Sequence, residues 1–182
     1  MTTGYKSPKK IAWGITGAGH HLASLVDIMV AQNNMDIFIS QAGKEVLTSY
    51  RLMEKLKATQ HTIYYDISAC SLPVTSLYTG RYEVVIIAPT TSNTIAKMVN
   101  GIADNLVTNL FAHAGKCRIP NIILPCDAGS DISSLTPNGQ EVPVYVRDID
   151  RKNIERLAYW EGVSLVNDPQ QLQRSIDAAL LK

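Results

Sequence analysis

From residue 89 to 94 the chain reads Pro89-Thr90-Thr91-Ser92-Asn93-Thr94, five hydroxyl or amide side chains in a row where an apolar strand gives way to a helical pattern. Such side chains offer donors and acceptors without charge, and so suit a ligand with a polar, neutral face. Three more stretches of this kind follow apolar runs: "TGAGHH" from Thr16, "SQAG" from Ser40 and "PCDAGSD" from Pro125. Open parallel sheets bind ligands outside the carboxyl ends of their strands, so four polar strand ends point to one site. Taken singly, each stretch is also explained by the ordinary chemistry of turns.

The first stretch narrows the ligand. Gly17 and Gly19 would let the backbone approach a phosphate at the start of a helix, where free N–H groups and the dipole favour an anion. The dinucleotide fingerprint GxGxxG fails, because its third glycine, counted from Gly17, falls on Leu22. The second strand ends in Ser40-Gln41 instead of the acidic residue that holds a ribose. No Gly-Lys-Ser/Thr follows, so it is not a Walker loop either. What remains is a mononucleotide phosphate held between Thr16–Gly19 and Ser40, a requirement that FMN meets. The pair His20–His21 either works in acid–base chemistry or caps and lines the first helix.

The elements that must position these residues alternate. Strand patterns cover 10–16, 36–40, 61–66, 83–89, 120–125, 142–147 and 163–166, and helix patterns cover about 20–33, 42–56, 151–160 and 168–181. A further long helix follows the strand at 83–89 and runs to about residue 111. Residues 67–81 read as a loop or short helix, and 126–141 as the longest polar loop. Continuous β-branched strands alternating with helices predict an α/β fold, a three-layer Rossmann-like sandwich with a mainly parallel sheet. Residues 1–8 are expected to be a flexible N-terminal tail, and 9–182 a single domain.

Composition excludes several classes. A net charge of +1 with 18% charged residues gives no electrostatic footprint for nucleic acid or an anionic membrane. The apolar runs are too short to span a bilayer, and the first residues lack the apolar core and cleavage site of a signal peptide. Cys70, Cys117 and Cys126 are odd in number and not in CxxC spacing, which suits free thiols in a reducing cytoplasm. With His113 they match no zinc spacing, and no metal is expected.

"APTTSNTIAKMVNGIADNL", together with "GITGAG" and "FISQAG", resembles the flavin-contact motifs of the flavoprotein superfamily that includes the homo-oligomeric flavin-containing cysteine decarboxylases. The family's Pro-Ala-Ser-Ala-Asn-Thr motif falls on Pro89 to Thr94, and the resemblance extends from residue 9 to about 126. It implies an FMN-binding domain that assembles through trimers, with the flavin at a subunit interface. Carried over residue by residue, it puts Thr16, Gly17, Gly19 and Ser40 at the phosphate. Pro89, Thr90, Thr91, Ser92 and Asn93 would line the flavin ring, with Asp104 and Asn105 near it. The stripe of Ile95, Met98, Val99, Ile102, Leu106 and Leu110, widened by Ala96, Ala103, Val107 and Phe111, is apolar over most of the helix and independently suggests a second partner.

Two departures turn the expected chemistry. The decarboxylases' catalytic His aligns with Thr75, and their Pro-x-Met-Asn-x-x-Met substrate clamp is replaced by Pro125-Cys126-Asp127-Ala128-Gly129-Ser130. Within the superfamily the chain is most similar to the dihydromethanopterin reductase (acceptor) and archaeal-type flavoprotein group. That resemblance implies reduction of dihydromethanopterin, or a related dihydropterin, to the tetrahydro form by hydride transfer from reduced FMN. Asn93 and Asp127 are the candidate catalytic residues, and Asp127 and Asp131 could hydrogen-bond the pterin's pyrimidine edge. Lacking an iron–sulfur motif, the chain would take electrons from a separate donor: a reductase, a ferredoxin or a nicotinamide nucleotide. The alternatives are a flavin-dependent decarboxylase of the same fold, or an electron-transfer or flavin-carrier protein with no organic substrate.

Overall fold

The computed structural model of the chain describes residues 9–67, 71–128 and 131–181. The expected tail at 1–8, Cys70, Gly129 and Ser130 lie outside the described residues, as does the side chain of Asp131.

Six strands form one parallel sheet: β1 (Lys10–Ile15), β2 (Met35–Ile39), β3 (Thr62–Tyr65), β4 (Tyr82–Thr90), β5 (Asn121–Pro125) and, in the same sheet, Val163–Leu165. The intervening elements are α1 (Leu22–Ala31), α2 (Gln41–Ser49), α3 (Met53–Lys57), a 3-10 helix (Leu72–Thr79), α4 (Ser92–Val99) and α5 (Leu106–Lys116). A hairpin of β6 (Asp131–Leu135) and β7 (Glu141–Tyr145), then α6 (Asp148–Ala158), precede the last strand, β8, and α7 (Pro169–Leu180) closes the chain. The sheet order is β3-β2-β1-β4-β5-β8. The chain therefore builds outward from β1 in one direction, returns, and builds from β4 in the other.

Both faces of the sheet are covered, as its unbroken apolar strands require. Trp13, Ile15, Ile37, Ile39, Ile86 and Leu124 pack with α1, α2, α3 and α7 on one face. Ala12, Phe38, Val85, Ile87 and Ile123 pack with the 3-10 helix, α4, α5 and α6 on the other. Gly43, in the first turn of α2, allows a close approach: a Cβ there would sit 2.6 Å from the Ile15 carbonyl oxygen.

Three expectations change. The single long helix is two helices, because Gly101 takes a φ of 70° and Asn105 starts α5 afresh with a capping box. Its apolar stripe is largely consumed by the core: Ile95, Met98, Leu106, Val107 and Leu110 are buried, and Ile102 and Ala103 are exposed. That stripe gives no argument for a partner. The helix at 42–56 breaks where Arg51 enters left-handed backbone at φ 57°. Finally, 126–141 is not simply a loop, and 142–147 does not join the main sheet. Leu135 pairs with Glu141 and Ile132 with Val144 in a separate antiparallel ribbon.

At the amino end of the sheet the carboxylate of Asp36 is fully buried. Lys10 Nζ and an Arg81 guanidinium nitrogen each lie 2.8 Å from it, and the Tyr82 hydroxyl donates to it at 2.8 Å. Burial pushes the Tyr82 phenol far above its ordinary pKa, so it stays a donor. The clasp ties β1, β2 and β4 together. Removing the carboxylate strands three donors, one of them buried. Asp36→Ala should therefore lower stability by ~3 kcal/mol in urea unfolding; a loss below ~0.5 kcal/mol, the usual scatter of surface substitutions, would contradict the clasp.

Candidate functional site

The strand order reverses between β1 and β4, and at the carboxyl ends of these two strands the chain leaves the ladder. The pairing register shifts between Ile87 and Thr90, across a cis Ala88–Pro89 bond. Thr16, immediately after β1, is buried, and its hydroxyl answers the groups that this shift releases. It donates to the Pro89 carbonyl at 2.7 Å and accepts the Thr91 N–H at 2.9 Å. The indole of Trp13, on β1, donates to the Ala88 carbonyl of β4 at 2.7 Å.

The five polar residues of the turn then divide. Thr90 is buried and bonds back to the Ile87 carbonyl. Thr91 is the N-cap of α4 and accepts the Thr94 N–H at 3.2 Å. Ser92 donates its hydroxyl to the carboxylate of Asp127. Asn93 is exposed, and among the described residues its amide has no partner.

Two hollows open at this edge of the sheet. One, of about 380 Å³, is lined by Gly17, Gly19, His20, Thr91, Ser92, Asn93, Cys126 and Asp127, and is walled by Tyr145, Arg147 and Asp150 from β7 and the start of α6. The other, of about 550 Å³, is lined by Ser40, Gln41, Lys44, Tyr65, Asp66, Ile67 and Asp104. The expected site residues are thus brought to one edge but split between two hollows. Thr16, Pro89, Thr90 and Asn105 line neither. Thr16, expected at a phosphate, has its hydroxyl committed to the backbone. Asn105 caps α5, accepting the N–H groups of Val107 and Thr108 at 3.0 Å. Asp104 is exposed and paired with Lys97 at 2.7 Å, whose hydrogen bond lowers its pKa.

The two glycines of the first loop serve packing. A Cβ on Gly17 would lie 2.7 Å from that of Ala42, and one on Gly19 would lie 2.3 Å from the Tyr50 hydroxyl. Tyr50 in turn donates that hydroxyl to the Leu135 carbonyl, which pins the hairpin over the first hollow. Residues missed in the sequence include Lys44, which stands 5.6 Å over the Tyr65 ring, and Asp66, which accepts the Leu106 N–H at 3.1 Å. Asp66 follows β3, so the strand-end rule applied to "HTIYYD" would have found it; Lys44 carried no signal. Arg147 was missed as well. It grips Asp150 with two bonds of 2.7 and 2.8 Å, which hold that carboxyl below its ordinary pKa.

The titratable groups facing the first hollow are specific. Burial lowers the His20 pKa, and the charge of Asp127 opposes that shift. Burial, reinforced by Asp127, drives the Cys126 thiol well above its usual range, so it is no nucleophile. Cys117 and Cys126 lie at opposite ends of β5, and His113 pairs with Tyr78 at 2.9 Å. Among the described residues no three His, Cys, Asp or Glu side chains converge on a metal, and no helix is long and apolar enough to cross a membrane.

The donor set fits a flavin mononucleotide. The first turns of α2 and α4 bring N–H groups without intrahelical acceptors to this edge, and a cation without an ion-pair partner among the described residues, Lys44, stands beside Ser40 and Gln41. Thr91, Ser92 and Asn93 offer neutral donors and acceptors for a polar ring.

The profile of the family described as Flavoprotein matches residues 2–180. An uncharacterized protein of Methanocaldococcus jannaschii is 36% identical over 174 residues, covering 92% of this chain and 94% of its own. A dihydromethanopterin reductase (acceptor) of Methanosarcina mazei is 34% identical over 232 aligned positions, covering 90% of this chain and 97% of its own. Among solved structures, Burkholderia xenovorans DmrB in complex with FMN, described as a cubic protein cage for redox transfer, superposes with a TM-score of 0.86 at 35% identity. It covers 97% of this chain and 98% of that one.

The stitch at Thr16 yields a direct expectation. Thr16→Val leaves the part-buried Thr91 N–H unanswered and the Pro89 carbonyl with only the Thr16 N–H, at 3.4 Å, and should cost about 1 kcal/mol of stability, while Thr16→Ser should cost less than half as much. Equal losses for Val and Ser in urea unfolding would mean that the methyl group, not the hydroxyl, holds the turn.

Proposed function

The chain belongs to the Flavoprotein family, and from that premise we propose that it is an FMN-dependent oxidoreductase that reduces a dihydropterin of the methanopterin type to its tetrahydro form. The observation that carries the reading is the first hollow. At the switch point of the sheet, the free Asn93 amide and the Asp127 carboxylate, steadied by Ser92, face a space suited to a flat polar ring. The likeness to the Methanosarcina mazei dihydromethanopterin reductase supports the same substrate class, and the likeness to FMN-bound DmrB supports the cofactor and redox chemistry.

FMN bound here would supply hydride chemistry, and the protein would supply position. Ser40, Gln41 and Lys44 suit the phosphate, and Thr91, Ser92 and Asn93 suit the ring. Asp127 can accept two hydrogen bonds from the amino group and N3–H of a pterin while keeping lone pairs for the Ser92 hydroxyl and the Cys126 thiol. Cys126, held protonated, keeps a competing nucleophile out of the hollow. A decarboxylase is less well supported. Thr75 is exposed and spends its hydroxyl on the Leu72 carbonyl at 2.8 Å, and structures of cysteine decarboxylases are similar at only 16–17% identity, which speaks to the fold alone. Electrons would arrive from a separate donor. A homo-oligomer built on trimers is part of this reading. The likeness to DmrB, described as a cubic protein cage, supports it.

The test is anaerobic. Photoreduced, FMN-loaded protein mixed with dihydromethanopterin should show the oxidised flavin spectrum returning with one equivalent of substrate. A flavin that stays reduced would leave a carrier, and release of carbon dioxide from a cysteinyl peptide would favour the decarboxylase. Asn93→Ala should weaken FMN binding or slow reoxidation by about tenfold, and unchanged values for both would remove Asn93 from the site.

A further inference from the structure

Saturating the C6–N5 double bond of a 7,8-dihydropterin takes a hydride at carbon and a proton at nitrogen. The hydride's electron pair forms the new C6–H bond, and the π pair of C6=N5 moves onto N5, which must then be protonated. Flavin chemistry provides the hydride, but the protein must provide the proton.

We infer that His20 delivers this proton to N5, with Asp127 holding the ring beside it; the inference rests on the pterin reading of the first hollow. Along one edge of a pterin the groups run in order: the 2-amino group, N3–H, the carbonyl at C4, then N5. A carboxylate matches the first two, and an adjacent N–H donor matches the notch between the C4 oxygen and N5. Asp127 and His20 line the same hollow, close enough for the carboxylate charge to act on the imidazole. Asp127 is oriented by the Ser92 hydroxyl and by the neighbouring Cys126 thiol. The alternative donors are committed or unsuited. Arg147 is bound to Asp150 and stays charged, and the Cys126 thiol is buried.

His20 is half-buried at the mouth of the loop after β1, where its ring lies 3.8 Å from that of His21. The charged and titratable groups around it are Asp127 after β5, Arg147 and Asp150 at the start of α6, Tyr145 of β7, and His21, on which Asp168 acts. On the other side stand Tyr50 and Glu141. Burial destabilises the imidazolium and the carboxylate supports it, so the pKa lies below the ordinary value yet higher than it would be without Asp127. The imidazolium of such a group is a stronger acid than that of a free histidine, and after giving its proton to N5 it is recharged from solvent. Reoxidation of the reduced flavin by dihydropterin should accordingly be fastest below the His20 pKa and slow as pH rises through it.

The test has two arms. In flavin-free protein, NMR titration of the His20 ring, assigned by its disappearance in His20→Gln, should give a pKa below that of a free histidine and lower still in Asp127→Asn. In FMN-loaded protein, His20→Gln should bind FMN with unchanged affinity, reoxidise about 10²-fold more slowly, and lose the pH dependence; His21→Asn should keep rate and pH profile. If wild-type flavin is not reoxidised by dihydropterin at all, the substrate reading falls and this inference with it. If wild type reacts and His20→Gln keeps its rate and pH profile, or Asp127→Asn leaves the His20 titration unmoved, only the assignment of His20 falls.

Discussion

A parallel sheet that builds outward in both directions leaves a gap at the strand ends where the order reverses. In this chain the gap is closed at Thr16, whose hydroxyl joins the Pro89 carbonyl to the Thr91 N–H and whose own N–H lies 3.4 Å from the same carbonyl. A backbone group left buried and unanswered here would cost about 1–3 kcal/mol. Because Thr16 satisfies both groups, β4 can end beside β1 and α4 can begin at once. That start fixes where Thr91 caps, where Ser92 meets Asp127, and where Asn93 is left without a partner. The first hollow is therefore a consequence of how β1 and β4 are joined.

The opposite end of the same strands is held by a different device. There the buried carboxylate of Asp36 gathers a lysine, an arginine and a phenol. Between these two anchors β1, β2 and β4 have little freedom to slide, and the carboxyl edge is a rigid base. Above it lies the β6–β7 ribbon, which is held to the body of the domain by the Tyr50 hydroxyl on the Leu135 carbonyl. Tyr50 reaches that carbonyl only because Gly19 has no side chain.

The main sheet was legible in the sequence because buried parallel strands are continuous β-branched runs, and Val84 to Ile87 or Ile122 to Leu124 read as nothing else. The break between α4 and α5 was not, because apolar residues keep helical spacing across Gly101 although the backbone does not. The strand expected at 142–147 appears as β7, but its partner β6 was hidden by its composition, Asp-Ile-Ser-Ser-Leu, inside a stretch that reads as a polar loop. Within the site the polar character of the strand ends was read correctly, but not which polar groups are already used. Thr16, Thr90 and Asn105 spend their side chains on backbone groups, and a sequence does not say whether a hydroxyl faces a ligand or a neighbouring carbonyl. Gly17 and Gly19 line the first hollow, and they also give Ala42 and Tyr50 room to pack, a second use that the sequence does not show.

The central claim is that this carboxyl edge, from Ser40 and Lys44 to Asn93 and Asp127, is where a flavin lies and reacts. A crystal structure of the FMN-loaded protein tests it most directly. The phosphate should lie beside Ser40 and Lys44, with the ring alongside Thr91, Ser92 and Asn93 and one face open toward Asp127 and His20. A flavin at the amino end of the sheet, near Lys116 and Arg118, or one whose ring turns away from Asn93, would contradict it.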